Sequence, residues 1–334
     1  MKLKANVSLS GAILLGDSVA CDGHENGRPI RVVTHAHYDH MLGLEKSLRI
    51  CRKVVMTEAT RDLIRVLKGK RISNFKSLTV LGYEKELNLD SENLTFYYAD
   101  HILGATQVLV EDSNGLRMLY TGDFRLPKTP VINADILVIE ATYGSPAFRR
   151  PFKSIVESLF VSLVEKSLEH GPVYVFGYHG KLQEAMQILF EGGIWAPFIL
   201  PKKVLEFSLV CEKHGMKLGD YIPKNCEEAR ELISKNDSYV AFYHMSSKRK
   251  IGLNAIRIYL TGWEFKEPIR KISNGEYVVA LSDHADFDDL LSYVEECEPK
   301  IVITDNYRVG EAETLAREIS RKLKIKAVAM PKKG

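Results

Sequence analysis

Cysteine is scarce in this 334-residue chain, and what there is lies scattered: Cys21, Cys51, Cys211, Cys226 and Cys297 are odd in number, with no Cys-x-x-Cys. That spacing excludes a zinc ribbon and argues against a disulfide framework, so the thiols read as reduced packing residues. Long apolar runs are missing too. None reaches the ~18 residues that a membrane span needs, and Met1-Lys2-Leu3-Lys4-Ala5-Asn6 has neither an apolar stretch nor a cleavage site. Neither a signal peptide nor a membrane partner is therefore expected, and the cytoplasm is the expected compartment. No charge sign dominates: the net charge is +3, which excludes a bulk polycation. Glutamine is rare, at three residues, beside abundant Lys, Glu and Ile; many thermophile proteins share that bias. Internal repeats, low-complexity segments and a Pro/Gly-rich linker are also lacking.

What is present is enough apolar material, 45% of residues, for one large or two moderate cores. The charge is uneven. Residues 147–275 hold 19 Lys/Arg against 14 Asp/Glu, which leaves the remainder slightly acidic. A basic segment beside an acidic one suits a phosphate-bearing substrate, and ordinary solvated faces give the same count. The first half reads as strands broken by turns: Ala12–Leu15, Ile30–Thr34, Lys53–Thr57, Leu94–Ala99, Gln107–Glu111 and Arg117–Tyr120. Asp112-Ser113-Asn114-Gly115 has the composition of a hairpin turn. Glu58–Lys68 has helical spacing of its apolar residues. The all-apolar Ile136–Ile139 reads as a central strand. From about Pro151 helices and strands alternate, as in α/β folds. Val278–Leu281 and Ile301–Thr304 then resume the earlier style.

The chemistry concentrates in Thr34-His35-Ala36-His37-Tyr38-Asp39-His40. Three of the ten histidines and an aspartate within six residues, at the end of a hydrophobic strand, make a metal-ligand cluster. A strand alone would point His35, His37 and Asp39 to one face. A tight turn would splay them, so that the histidines serve one ion and Asp39 with His40 a second. Imidazole and carboxylate suit Zn²⁺ first and Mn²⁺ second.

This run resembles the His-x-His-x-Asp-His signature of the metallo-β-lactamase superfamily. Asp22 sits where that family keeps a buried aspartate that orients the ligand loop, with Asp17 less well placed. Ala99-Asp100-His101-Ile102-Leu103-Gly104-Ala105 and Tyr120-Thr121-Gly122-Asp123-Phe124 resemble the family's next two motifs. The resemblance implies that His101 binds the first ion and that Asp123 bridges two divalent ions about 3.5–4 Å apart. Ile139-Glu140-Ala141-Thr142-Tyr143-Gly144, Gly180-Lys181-Leu182-Gln183-Glu184 and Ser282-Asp283-His284-Ala285-Asp286-Phe287 are similar to motifs of the β-CASP nucleases. In that group Glu140 would orient His284, and His284 would face the scissile phosphate. Ser282–Asp288 is closest in form to the short exonucleases found beside DNA ligases and helicases, which also carry the name of mRNA 3′-end processing factors. Two positions depart from the pattern. Thr304-Asp305-Asn306 stands where a ligand histidine is usual, and Asp305 either replaces it as a metal ligand or is uninvolved. His179 replaces an aliphatic residue and either touches phosphate or packs.

The resemblance implies an α/β fold: an αββα metallo-β-lactamase sandwich built from 1–146 and 276–334, with an α/β β-CASP-like cap, 147–275, inserted. It implies a metal-dependent phosphodiesterase that uses two divalent ions, with Asp39, Glu140 and His284 as catalytic residues. The expected partner is nucleic acid, DNA before RNA, with DNA ligase or helicase as protein partners by family association. Lys181, Ser246, Ser247, Lys248, Arg249 and Lys250 are the main candidate phosphate contacts, beside Arg149, Arg150, Lys202 and Lys203. A 5′-exonuclease acting in DNA end processing is the first reading and an RNA-processing ribonuclease the second. A nucleic-acid-binding scaffold with an incomplete metal site is a third, of another class.

Overall fold

A computed structural model of the chain describes residues 3–249 and 255–332. They fall into two compact units. The first runs through Arg149 and resumes at Asp283; the second takes Arg150–Ser282.

The first unit opens with six short strands: β1 (Ala5–Val7), β2 (Ile13–Leu15), β3 (Val19–Cys21), β4 (Ile30–Val32), β5 (Lys53–Met56) and β6 (Leu78–Val80). They pair in sequence order, antiparallel from β1 to β3 and parallel from β3 to β6. Helices α1 (Leu44–Ile50) and α2 (Glu58–Lys68) interrupt them. Next come β7 (Glu86–Asn88), β8 (Glu92–Tyr98), β9 (Thr106–Asp112), β10 (Arg117–Tyr120) and β11 (Ile136–Ile139). The β9–β10 hairpin turns at Gly115, φ 77°, where the Asp112 carboxylate accepts from the amides of Asn114 and Leu116.

The second unit holds β12 (Val173–Gly177), β13 (Phe198–Leu200), β14 (Tyr221–Pro223), β15 (Val240–His244), β16 (Ile256–Leu260), β17 (Ile269–Ser273) and β18 (Glu276–Val279), with α3 (Val156–Leu168), α4 (Lys181–Glu191), α5 (Lys202–Lys213) and α6 (Glu227–Lys235). Its sheet has the order β14-β13-β15-β12-β16-β18-β17 and is parallel except at the β17–β18 edge. The strand at 276–279, which the sequence pattern grouped with the first unit, is thus hydrogen-bonded into this sheet. Val278 and Val279 pair with Tyr259 and Leu260 of β16.

The chain returns to the first unit with α7 (Phe287–Cys297), β19 (Ile301–Asp305), α8 (Ala312–Lys322) and β20 (Lys326–Met330). The second sheet of this unit has the order β20-β19-β11-β10-β9-β8-β7, parallel from β20 to β10 and antiparallel beyond. Val7, Ile13, Val19 and Val32 of the first sheet interlock with Leu94, Phe96, Val108, Tyr120 and Val138 of the second. On the far face of the second sheet, Leu119, Leu137 and Ile139 meet Leu290, Val294 and Ile319 of α7 and α8. β11 is buried on both faces, which explains its unbroken apolar sequence. The architecture is the mixed α/β sandwich of metallo-β-lactamases. No helix among the described residues is long and apolar enough to cross a membrane.

Strand direction gathers the chemistry. β8, β10, β11 and β19 all point the same way, so the loops after them emerge at one edge. The loop after β8 is pinned to α2: the hydroxyls of Thr57 and Thr60 both donate to the carbonyl of Gly104, at 2.8 and 2.9 Å. Thr57 also caps α2 by accepting from the Thr60 amide. Gly104 has φ +83°, and a Cβ there would lie 2.6 Å from the Thr60 nitrogen. Gly104→Ala is expected to lower stability by about 1–3 kcal/mol in urea unfolding and to loosen the loop bearing His101. A variant as stable as the parent would contradict this anchoring role.

Candidate metal centre

The ligand loop leaves β4 and tightens into a 3₁₀ turn at Tyr38–His40. Its foundation is Asp22, one residue past β3, held at φ 55° and almost fully buried. Parallel pairing of β3 with β4 sets Asp22 beside Thr34. The Asp22 carboxylate accepts from the Thr34 amide (2.8 Å), the Thr34 hydroxyl (2.7 Å) and His40 Nδ1 (2.8 Å). From below, buried Arg31 donates to the carbonyls of His40 and Leu42, and burial lowers its guanidinium to about 10.

These bonds choose the tautomers. The Thr34 hydroxyl donates to Asp22, so it accepts from His35 Nδ1 at 3.0 Å. His101 Nδ1 donates to the carbonyl of Asp283 at 2.8 Å. Both imidazoles therefore present Nε2 as a lone pair, the arrangement metal-binding histidines require. His37 Nδ1 stands 3.1 Å from His35 Nε2 and 3.0 Å from His101 Nε2. Asp123 Oδ2 lies 3.7 and 3.8 Å from those same Nε2 atoms. All four ligand atoms fall within 4.8 Å of one another. A tetrahedron of ~2.0–2.1 Å zinc–nitrogen bonds has edges of about 3.3 Å, so the donor set fits such an ion. Burial pushes the three imidazoles down, His101 to about 3, which keeps them neutral and ready to ligate.

A second cluster shares Asp123. His40 Nε2 is 3.2 Å from Asp123 Oδ2 and 3.4 Å from Asp39 Oδ2. Against its burial, Asp123 and Asp22 raise His40 well above the usual range.

Glu140 follows β11 and is buried. Its Oε1 accepts the Phe124 amide at 2.9 Å, and its Oε2 accepts from His284 Nδ1 at 2.9 Å. Burial disfavours a charged His284, but Glu140, then Asp123 and Asp283, outweigh it and raise the imidazole to about 9. The rings of His284 and His101 are 4.8 Å apart. The Ala285 amide donates to the Phe124 carbonyl at 2.6 Å, which ties this segment to the loop bearing Asp123.

The structure thus brings together His35, His37, Asp39, His40, His101, Asp123, Glu140 and His284, with Asp22 beneath them. Asp305 is engaged by other partners: its carboxylate accepts from the Tyr307 amide at 2.9 Å and from Arg308 at 2.6 Å. Arg149 is engaged as well, with Asp288 at 2.8 Å. In the second unit Lys181 opens α4 and is buried. Gly180, at φ 89°, donates its amide to Gln183, so that part of the motif caps a helix. His179 stacks on Phe207, with ring centroids 4.9 Å apart. Ser246 pairs with His244 at 2.8 Å, and Ser247 is half-buried beside it. Lys248 and Arg249 line a cleft of about 680 Å³ with Arg257, Tyr259 and Thr261. Lys250 lies outside the described residues.

Sequence reasoning missed Thr34, Arg31, the Asp283 carbonyl and Arg308. Thr34 stood inside the histidine run and signalled itself by position. Arg31 and Arg308 carried no signal beyond a charge set in an apolar or ligand-bearing stretch.

No family profile matches the chain. It is 45% identical over 138 residues to an uncharacterized protein in the lig 3′ region of Acidianus ambivalens, which covers 41% of this chain and 99% of that one. It is 27% identical over 289 residues to a probable DNA ligase of Opitutus terrae, 81% of this chain and 26% of that one. Other relatives are an RNase J-like protein of Methanocaldococcus jannaschii, an endoribonuclease YSH1 of Mycosarcoma maydis and the cleavage and polyadenylation specificity factor 73 of Drosophila melanogaster. Apart from the Acidianus protein these are longer, and the chain spans from 26% to 42% of their length. A crystal structure of a protein of unknown function from Enterococcus faecalis shares the fold, with a TM-score of 0.64 at 15% identity over 91% of this chain and 80% of that one. Relatives named as ribonucleases in archaea and fungi and as a cleavage factor in an animal, and a fold that gathers the histidines as described, lead to one assignment: the chain belongs to the β-CASP nuclease group of the metallo-β-lactamase superfamily.

Proposed function

We propose that this chain is a metal-dependent nuclease that hydrolyses phosphodiester bonds at DNA ends, as a 5′-exonuclease of end processing or repair. The observation that carries the reading is the convergence of His35, His37, His101 and Asp123, with the Glu140–His284 pair beside them. His35, His37, His101 and Asp123 would hold one divalent ion, zinc before manganese, and Asp39, His40 and Asp123 a second. Such ions make a water acidic enough to attack at neutral pH and offset charge on the phosphoryl oxygens. The chain's own residues do the rest. Glu140 accepts from Nδ1 of His284 and leaves Nε2 to carry the proton given to the departing oxygen. With its imidazole raised to about 9, His284 holds that proton at neutral pH, as a general acid must.

For the substrate, Lys181, Ser246, Ser247, Lys248, Arg249 and Lys250 are the proposed phosphate contacts. The cleft shared by Lys248, Arg249, Arg257 and Tyr259 offers cations beside an aromatic ring, the combination that suits a nucleic-acid strand. DNA is favoured because one relative is named for a ligase region and another is a probable DNA ligase. The same names support action beside a DNA ligase. The ribonuclease relatives support RNA processing as the second reading.

His284→Gln is expected to lower kcat by about 10²–10⁴-fold while the bound metal per chain stays unchanged. A variant with full activity would remove His284 from the reaction. End-labelled DNA and RNA of one sequence, each single- and double-stranded, should separate the substrates in the presence of Zn²⁺ or Mn²⁺. DNA shortened from its 5′ end, with RNA left intact, is the expected result. RNA cut in preference would replace the first reading by the second. Neither polymer cut with either ion would leave the scaffold reading.

A further inference from the structure

Arg308 is buried beside the second cluster, with its side chain only 10% exposed, and the chemistry above makes no use of it. Nη1 donates to Asp305 Oδ2 at 2.6 Å. Nη2 donates to the carbonyls of Asp22, at 3.2 Å, and Gly11, at 3.4 Å. Nε has no hydrogen-bond partner and stands 4.0 Å from Asp39 Oδ2. A permanent positive charge is therefore fastened by three acceptors next to one ligand of the second cluster.

The two clusters are unequal on other grounds as well. The first offers three imidazoles and Asp123. The second offers Asp39 and His40, and shares Asp123. Asp305, the carboxylate that would complete it, is spent on Arg308 and on the Tyr307 amide. A divalent ion between Asp39 and His40 would sit a few ångströms from a like charge, in surroundings of low dielectric, where repulsion is strong. The same guanidinium already neutralises part of the negative charge of Asp39 and Asp305.

We infer that Arg308 makes the metal centre asymmetric. The His35/His37/His101/Asp123 position takes a divalent ion tightly. Arg308 stands in for much of the charge of a second ion, so the Asp39/His40/Asp123 position fills weakly and reversibly. The inference rests on the proposed metal-dependent reading and goes beyond it, since that reading leaves the two positions equivalent.

The test is metal content rather than turnover. The full chain is loaded with Zn²⁺, dialysed against zinc-free buffer and assayed for zinc per chain, and the second ion is then titrated back calorimetrically. One retained zinc is expected, with the second bound more than about tenfold more weakly. Arg308→Gln removes the charge and releases Asp305, and should strengthen the second position by about tenfold or more. Arg308→Lys keeps the charge without the fork of donors and should still retain one zinc. If Arg308→Gln fails to fold because Asp305 is left buried without a cation, the zinc retained by the wild type and by Arg308→Lys decides the inference. Two zincs held equally by the wild type, or no strengthening in a folded charge-free variant, would overturn the asymmetry alone. No retained zinc at all would overturn the metal-dependent reading and the asymmetry together.

Discussion

Three hydrogen bonds to one buried carboxylate organise the ligand loop. Asp22 receives the Thr34 amide, the Thr34 hydroxyl and His40 Nδ1. Bonds to a charged acceptor contribute roughly 1.5–3 kcal/mol each, enough to hold a short loop of histidines against the tendency of buried polar groups to seek water. Burial opposes a charged Asp22, yet His40, then Arg308 and Arg31, outweigh it and keep the carboxyl below its usual range. From this anchor follows the side on which His35 and His40 each carry an Nδ1 proton, and with it the direction in which each ring presents Nε2. The backbone meets the demand at Asp22 with a left-handed conformation, φ 55°, a local strain of the kind found where geometry serves a site.

The remaining parts are brought in by strand direction. His101, Asp123 and Glu140 follow three strands that point the same way, and the sandwich core of Phe96, Val108, Tyr120 and Val138 keeps those strands in register. Gly104 and Gly122 stand at positive φ in the loops after two of these strands. A Cβ on Gly122 would lie 2.8 Å from the Thr106 carbonyl. Backbone close-packing and ligand placement are therefore one requirement at these turns, which is why each motif pairs a glycine with its ligand. The same economy applies at Gly180-Lys181-Leu182-Gln183, where the motif's glycine and glutamine close a helix end in the second unit.

Much of this was legible in the sequence, because the chemistry is written in short local runs. His35–His40 declared a ligand cluster through composition alone, and likeness to known motifs supplied His101, Asp123, Glu140 and His284. The αββα sandwich came from that likeness, and strand patterning agreed with it. Most of what was not legible depended on contacts distant in sequence. Arg308 carried no local signal beyond its charge, and only the fold brings it to Asp22 and Asp39. Asp305 offered the right chemistry for a ligand, but a partner three residues away claims it. The strand at 276–279 had the apolar texture of the first unit, and texture cannot tell which sheet a strand will join. Between about 190 and 270 the motifs thin out, so α5, α6, β13 and β14 left only weak periodic traces.

The central claim is that imidazoles from two separate loops and the carboxylate of a third close around a divalent ion. Anomalous scattering at the zinc edge, from crystals of the full chain grown with Zn²⁺, tests it most directly. The expected result is a peak bonded by His35, His37, His101 and Asp123 at about 2.0–2.2 Å. An empty map, with those four side chains turned to other partners, would contradict the account.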